Sequence, residues 1–260
     1  MRNITSSWTS HLVLDFDGTL FSREPTAFVM DRRSQELSRL HDEGMSLCIA
    51  SGRGTAVRRY AQFLAKSAGV SSHVIRWNGL EGMSVPSSDV LFKLTAFERE
   101  ELSIISETLR TLRLSPQTLK AEIVRVKTRS PKSVPSMIRL LRKLLTEAIP
   151  GIVCTSNQKV VDISPPGCDK FLAVQRLFPG VEADSFLAVG DSCTRFGNDY
   201  ELLRHLPSYC VGSHYRSRTC VGRPVVNDEG SRIVGPPATF RILKSLSGPG
   251  RTRAGTREGP

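Results

Sequence analysis

The stretch His11-Leu12-Val13-Leu14-Asp15-Phe16-Asp17-Gly18-Thr19-Leu20 decides how the rest of the chain is read. Its first half has the length and apolar character of a buried strand, and its second half delivers two carboxylates, a glycine and a threonine where that strand ends. In open α/β sheets, ligands bind at the carboxyl ends of strands. Asp15 and Asp17 repel each other unless a cation or a shared proton lies between them, so the pair predicts a Mg²⁺ site or a coupled acid/base pair. An Asp-Gly turn after a strand is the plainer account of the same residues. The rest of the chain decides between the two.

Met30 to Glu43 has the pattern of a helix that stops at Gly44, and the apolar run Ser46-Leu47-Cys48-Ile49-Ala50 follows as a strand. That strand ends in Ser51-Gly52-Arg53-Gly54 before a helical stretch carrying Val57, Ala61, Leu64 and Ala68, a strand-loop-helix unit in which Ser51 can donate to a phosphate. Ser72 to Trp77 reads as a third strand and Asn78-Gly79 as a turn. The βαβαβ order predicts an α/β fold with a doubly wound parallel sheet.

From about 85 to 164 the rhythm changes. Val90 to Leu94 is strand-like, Thr95 to Leu114 and Ser133 to Ile149 are amphipathic helices, Glu122 to Thr128 alternates like a half-buried strand, and Ile152 to Ser156 with Lys159 to Ile163 reads as a hairpin. This is a small α+β module able to cover a site, inserted between a first core segment, 1–84, and a second, 165–246. Pro165-Pro166-Gly167 marks the return, and a helix opens at Cys168-Asp169-Lys170. A lysine in a first helical turn opposes the helix dipole, which hints at another partner for Lys170, although a solvated surface lysine is the bland account. Ser185 to Asp191 is another buried strand ending in acid, followed by a loop to Asn198-Asp199 and a helix through Leu206. Tyr209 to Val211 and a last helix from about Pro237 to Leu246 complete the core. Residues 247–260, rich in glycine and arginine, read as a disordered basic tail.

At 260 residues, with 39% hydrophobic and 23% charged residues, the chain has the composition of a soluble globular protein. No apolar run approaches the ~18 residues of a membrane helix, and the polar first ten residues lack a secretory h-region, so the expected location is the cytoplasm. The six cysteines show no Cys-x-x-Cys pair and are expected to be reduced. The five histidines are scattered and support no Ser/His/Asp or Cys/His arrangement. The formal charge is +11, much of it between Arg110 and Lys143, where ten basic residues face Glu122 alone. Such a patch steers an anionic metabolite or binds nucleic acid. No Phe, Tyr or Trp is interleaved with it to stack on bases, which favours the metabolite.

Taken together, Asp15-Phe16-Asp17-Gly18-Thr19, Ile49-Ala50-Ser51-Gly52-Arg53, Gly167-Cys168-Asp169-Lys170 and Gly190-Asp191 with Asn198-Asp199 resemble the four ordered motifs of the haloacid dehalogenase (HAD) superfamily. Trp77-Asn78-Gly79-Leu80 resembles the segment before the cap in its Cof-like, IIB branch. The resemblance implies a Rossmann-like core with a C2-type cap and a phosphatase acting on a small phosphorylated metabolite, by family analogy a sugar phosphate. Asp15 would be the nucleophile and Asp17 the acid/base. Ser51, Gly52, Lys170 and Asn198 would bind the phosphate, and Asp15, Asp17, Asp191 and Asp199 would hold Mg²⁺, Asp199 directly or through water. An acid two residues after the nucleophile points to phosphoryl transfer rather than carbon-halogen cleavage. The long loop from Asp191 to Asp199 is similar to that of eukaryotic phosphomannomutases, which makes a phosphohexomutase one rival, but the cap is shorter and lacks their arginine-containing motif. A basic nucleic-acid-binding module on a degenerate fold is the other rival, and the retention of all four reactive motifs counts against it. Oligomeric state is not legible.

Overall fold

In the computed structural model, which describes residues 9–22, 27–112, 114, 117–119, 123–128, 130–157, 160–213 and 220–246, the run His11–Asp15 is the strand β1. The chain continues through α1 (Arg32–Asp42), β2 (Ser46–Ala50), α2 (Thr55–Ala68), β3 (Ser72–Arg76), β4 (Glu81–Val85), β5 (Val90–Lys93) and α3 (Ala96–Thr111). Next come β6 (Gln117–Leu119), β7 (Ile123–Lys127), α4 (Val134–Leu145), β8 (Val153–Asn157), β9 (Val160–Ser164), α5 (Lys170–Leu177) and β10 (Phe186–Gly190). The last elements are α6 (Tyr200–His205), β11 (Ser208–Cys210), β12 (Arg223–Val226), β13 (Arg232–Ile233) and α7 (Gly235–Ser245).

Nine strands form one sheet in the order β13-β12-β11-β10-β1-β2-β3-β4-β5. The strands from β12 to β3 run parallel, while β4, β5 and β13 add antiparallel edges. Because side chains alternate across a strand, Leu12 and Leu14 pack on one face with Leu37, Tyr60, Leu64 and Ile242, whereas Val13 packs on the other with Ala173, Val174 and Leu202. Both faces are thus covered by helices, the doubly wound arrangement that continuous apolar strands demand. The strand Val90–Lys93, expected within the inserted module, instead pairs with β4 at the edge of this sheet.

The cap sheet has the order β6-β7-β9-β8, antiparallel throughout. Its residues Val124, Val126, Cys154, Val161 and Ile163 share a buried cluster with Leu102, Ile105 and Leu109 of α3 and Ile138, Leu141 and Leu145 of α4. Both helices therefore cover one face of the cap sheet and leave the other to the core. Thr95 caps α3 in a reciprocal capping box with Glu98, which sets where the helix starts. On α4, the buried row leaves Arg139, Arg142 and Lys143 exposed on the cap's outer surface. The basic tail at 247–260, together with Arg113, Lys120, Glu122 and Arg129, lies outside the described residues.

One expectation is corrected. Cys193 and Cys210 form a disulfide, while Cys48, Cys154 and Cys168 are free thiols. The parallel pairing of β10 with β11 brings the end of β11 beside the loop that follows β10, with the two Cα atoms 6.0 Å apart. Sequence spacing carries no trace of that adjacency.

Candidate active site

Three neighbouring strands end together. β10, β1 and β2 are adjacent and parallel, so Asp191, Asp15 and Ser51 emerge side by side at their carboxyl ends. Gly18 permits the close approach: its φ is +77°, and a Cβ there would lie 2.1 Å from Oδ2 of Asp191. α5, capped by Asp169 through the Leu172 amide, brings Lys170 to the same place.

Lys170 Nζ donates to Oδ1 of Asp15 at 2.5 Å and to Oδ1 of Asp199 at 2.6 Å, with its side chain wholly buried. Burial alone would lower its pKa, but the two carboxylates hold it above its ordinary value. The unfavourable first-turn position is thus accounted for by two charge-assisted hydrogen bonds. Asp199 is itself fully buried, and its Oδ2 accepts the backbone amides of Asp191 and Ser192. With both oxygens committed, Asp199 orients Lys170 and the Asp191 loop.

Ser51 Oγ accepts the Arg53 amide at 2.9 Å and donates to Oδ2 of Asp17 at 3.3 Å. Nε of Arg53 lies 3.0 Å from the same Asp17 oxygen. Gly52 leaves room for the Asn78 side chain, since a Cβ would meet its Oδ1 at 2.9 Å. Asn198 Nδ2 donates to that Oδ1 at 3.1 Å. The eight expected residues fall into neighbouring groups: Lys170 links Asp15 to Asp199, which holds the Asp191 amide, Ser51 bonds Asp17, and Gly52 and Asn198 both adjoin Asn78.

The residues fit a divalent cation. Carboxylate oxygens of Asp15, Asp191 and Asp199 lie within 4.8 Å of one another, and Oδ2 of Asp15 is buried without a hydrogen-bond partner. Burial first, and then the charge of Asp199, push the Asp15 pKa well up. The same causes raise Asp191 to about 7. Oxygens this close and this dry repel unless a cation lies between them.

Asn78, Asp162 and Arg125 are additions to the expected set. Trp77 and Asn78 both have left-handed backbone, with φ of 56° and 55°, a conformation seldom adopted by a residue as bulky as Trp. That bend lets the Asn78 amide bond the Ser51 carbonyl at 3.0 Å while its Nδ2 reaches Oδ2 of Asp162 in the cap at 3.1 Å. Arg125 grips both oxygens of Asp162, from Nε at 2.6 Å and Nη2 at 2.9 Å. Asn78 reads in sequence as a turn residue and Arg125 as one member of a basic patch. The signal available was the alternation around Arg125, which places it opposite the core-forming Val124 and Val126.

Residues 12–133 match the family model of haloacid dehalogenase-like hydrolases. A HAD subclass IIB sugar phosphatase is similar to this chain with 17% identity, a TM-score of 0.59 and coverage of 79% of this chain and 88% of that one. A HAD/COF-like hydrolase from Plasmodium vivax has 15% identity and a TM-score of 0.65, over 94% and 97% of the two chains. The IMP-nucleotidase of Plasmodium falciparum, truncated at its N-terminus and bound to IMP, has 13% identity and a TM-score of 0.62, over 92% and 68%. No curated protein matches the sequence. The family match spans residues 12–133, just under half of the chain, and the sheet order and strand-end carboxylates agree with it. The fold is similar to that of these IIB and COF-like structures, and the cap is inserted after the third parallel strand and its antiparallel extension. No helix among the described residues is long and apolar enough to cross a membrane.

Proposed function

We propose that the protein is a Mg²⁺-dependent phosphatase that hydrolyses a small phosphomonoester, of the sugar phosphate kind, through an aspartyl-phosphate on Asp15. The observation that carries this reading is Lys170, buried between Asp15 and Asp199 with the Asp191 carboxylate alongside. Mg²⁺ would be held by Asp15 and Asp191 with the backbone carbonyl of Asp17, and would supply positive charge against the phosphoryl oxygens.

The Asp15 carboxylate attacks phosphorus as the bond to the leaving oxygen breaks, and Asp17 gives its proton to that oxygen. Water then attacks the phosphorus of the acyl phosphate, Asp17 takes the water's proton, and inorganic phosphate leaves with Asp15 restored. Lys170 neutralises the nucleophile and the transferring group, and Ser51 binds a phosphoryl oxygen. The cap excludes water and contacts the leaving group.

The test is a screen of phosphorylated metabolites with Mg²⁺ that scores phosphate release and isomer formation separately. Phosphate release supports the proposal. Isomer formation without net release would make the protein a mutase, passing the phosphoryl group from Asp15 to a second hydroxyl.

A further inference from the structure

Asp17 stands beyond the end of β1, in a turn that closes on itself. The Leu20 and Phe21 amides both donate to the Phe16 carbonyl at 3.1 Å, and the Gly18 amide donates to the Phe21 carbonyl at 2.7 Å. These bonds leave the carbonyls of Thr19 and Leu20 to side chains from outside the turn. Thr239 Oγ1, on α7, donates to the Thr19 carbonyl at 2.8 Å, and the Arg33 guanidinium, on α1, donates to the Leu20 carbonyl. Arg33 is held in turn by Asp31, to which its Nε donates at 2.9 Å, and by the Phe21 ring, whose centre lies 4.8 Å from the guanidinium.

Thr239 is buried on a face of α7 whose other buried residues, Ala238, Ile242 and Leu243, are apolar. A helical threonine commonly donates to the carbonyl four residues back, but here the Gly235 carbonyl lies 3.5 Å away, so the hydroxyl proton goes to Thr19. Valine would fill the same space without a buried hydroxyl to satisfy, so what the hydroxyl adds is this one bond across 220 positions.

The two acids depend differently on these bonds. Asp15 is the last residue of β1 and is paired with Ala50, so the sheet and Lys170 fix it. Asp17 lies outside the strand, and its place follows the turn. A proton donor must stand within about 3.2 Å of the oxygen it serves, and a displacement of about 1 Å costs on the order of a hundredfold in rate. We infer that Thr239 and Arg33 are positioning residues for Asp17, fixing the turn from which it delivers a proton to the leaving oxygen. The inference rests on the phosphatase reading and adds to it two residues that do not touch substrate.

The experiment compares kcat/KM of the full chain with Mg²⁺ on phenyl phosphate and p-nitrophenyl phosphate, which present nearly the same ring to the cap but differ in how much the departing oxygen needs a proton. Because kcat/KM measures transition-state stabilisation from free enzyme and substrate, it reports the step in which that oxygen leaves. Thr239→Val is expected to lower the ratio of phenyl to p-nitrophenyl phosphate by about tenfold, and Thr239→Ser, which keeps the hydroxyl, to hold it within about twofold of the wild type. A merely structural role would lower both substrates together. An unchanged ratio in Thr239→Val, or an equal fall in Thr239→Ser, would overturn the inference while the phosphatase reading stands. Should Thr239→Val fail to fold, Arg33→Met, which removes the other outside donor, decides by the same ratio. Release from neither aryl phosphate nor from any metabolite of the screen would remove the phosphatase reading and the inference with it.

Discussion

Lys170 and Asp15, 155 positions apart in the chain, meet at 2.5 Å with no solvent between them. A buried ion pair is weak evidence of stability in itself, but removing one partner leaves an uncompensated charge. Lys170→Met keeps much of the side-chain length and strands both Asp15 and Asp199. The expected loss is about 3–5 kcal/mol in urea unfolding near neutral pH, together with loss of turnover. A loss below about 1 kcal/mol would mean that the lysine does not neutralise the cluster in the folded state.

Asp15→Asn separates chemistry from folding. The amide has nearly the shape of the carboxylate and is a poor nucleophile, while one charge leaves a group of mutually repelling acids. Phosphate release should vanish, and the far-UV circular dichroism should be that of the wild type. Retention of activity within about tenfold, or ~1.4 kcal/mol of barrier, would remove Asp15 as nucleophile.

What the sequence made legible follows from which signals are local. β1, β2 and β10 are unbroken apolar runs ending in Asp15, Ser51 and Asp191, so their place in a parallel sheet and the site at their ends could be read directly. β4 was not legible, because Glu81-Gly82-Met83-Ser84-Val85 lacks both an apolar run and a clean alternation. β12 is four residues long and includes Pro224. Val90–Lys93 was legible as a strand but not as part of the large sheet, since its pairing depends on β4. The role of Asn78 was hidden for a similar reason: a turn residue and a bridge to Asp162 are the same residue type, and 84 positions separate the partners.

Metal and proton compete for the same oxygens. Asp191 is raised to about 7 by burial and by Asp199, well above its ordinary value near 4, so across that window the metal-free fold holds a proton that the unfolded chain has released. The stability of the metal-free protein therefore falls as pH rises from about 4 to about 7. Mg²⁺ binds the deprotonated form, so the rise in Tm on adding it should be larger at about pH 8 than at about pH 5.5. An equal or larger rise at the lower pH would contradict the assignment of Asp191 as a ligand. Turnover should cease in excess EDTA, and Ca²⁺, with more ligands at longer distances, should restore it poorly.

The basic surface of α4 distinguishes a small substrate from nucleic acid. Arg139 and Arg142 are exposed on α4, which packs through Ile138 and Leu141 on the cap sheet, and Arg142 reaches back to the Cys154 carbonyl of β8 at 3.3 Å. Fields from exposed charges decay over about 8 Å at physiological ionic strength, less than the ~10 Å separation typical of packed layers. Reversing both residues to glutamate should then change KM for a small phosphomonoester by less than about threefold, with kcat unaltered and whatever effect remains shrinking as salt is added. Nucleic-acid binding has a different signature, because each neutralised phosphate releases counterions: affinity falls log-linearly with salt, with a slope of about −0.9 per phosphate on B-DNA. Filter binding of duplex DNA and RNA to the wild type and the double variant checks this. Submicromolar binding at physiological salt, abolished by the two glutamates while phosphatase kinetics stay constant, would make the outer face of the cap a nucleic-acid surface and replace the small-metabolite reading of the patch.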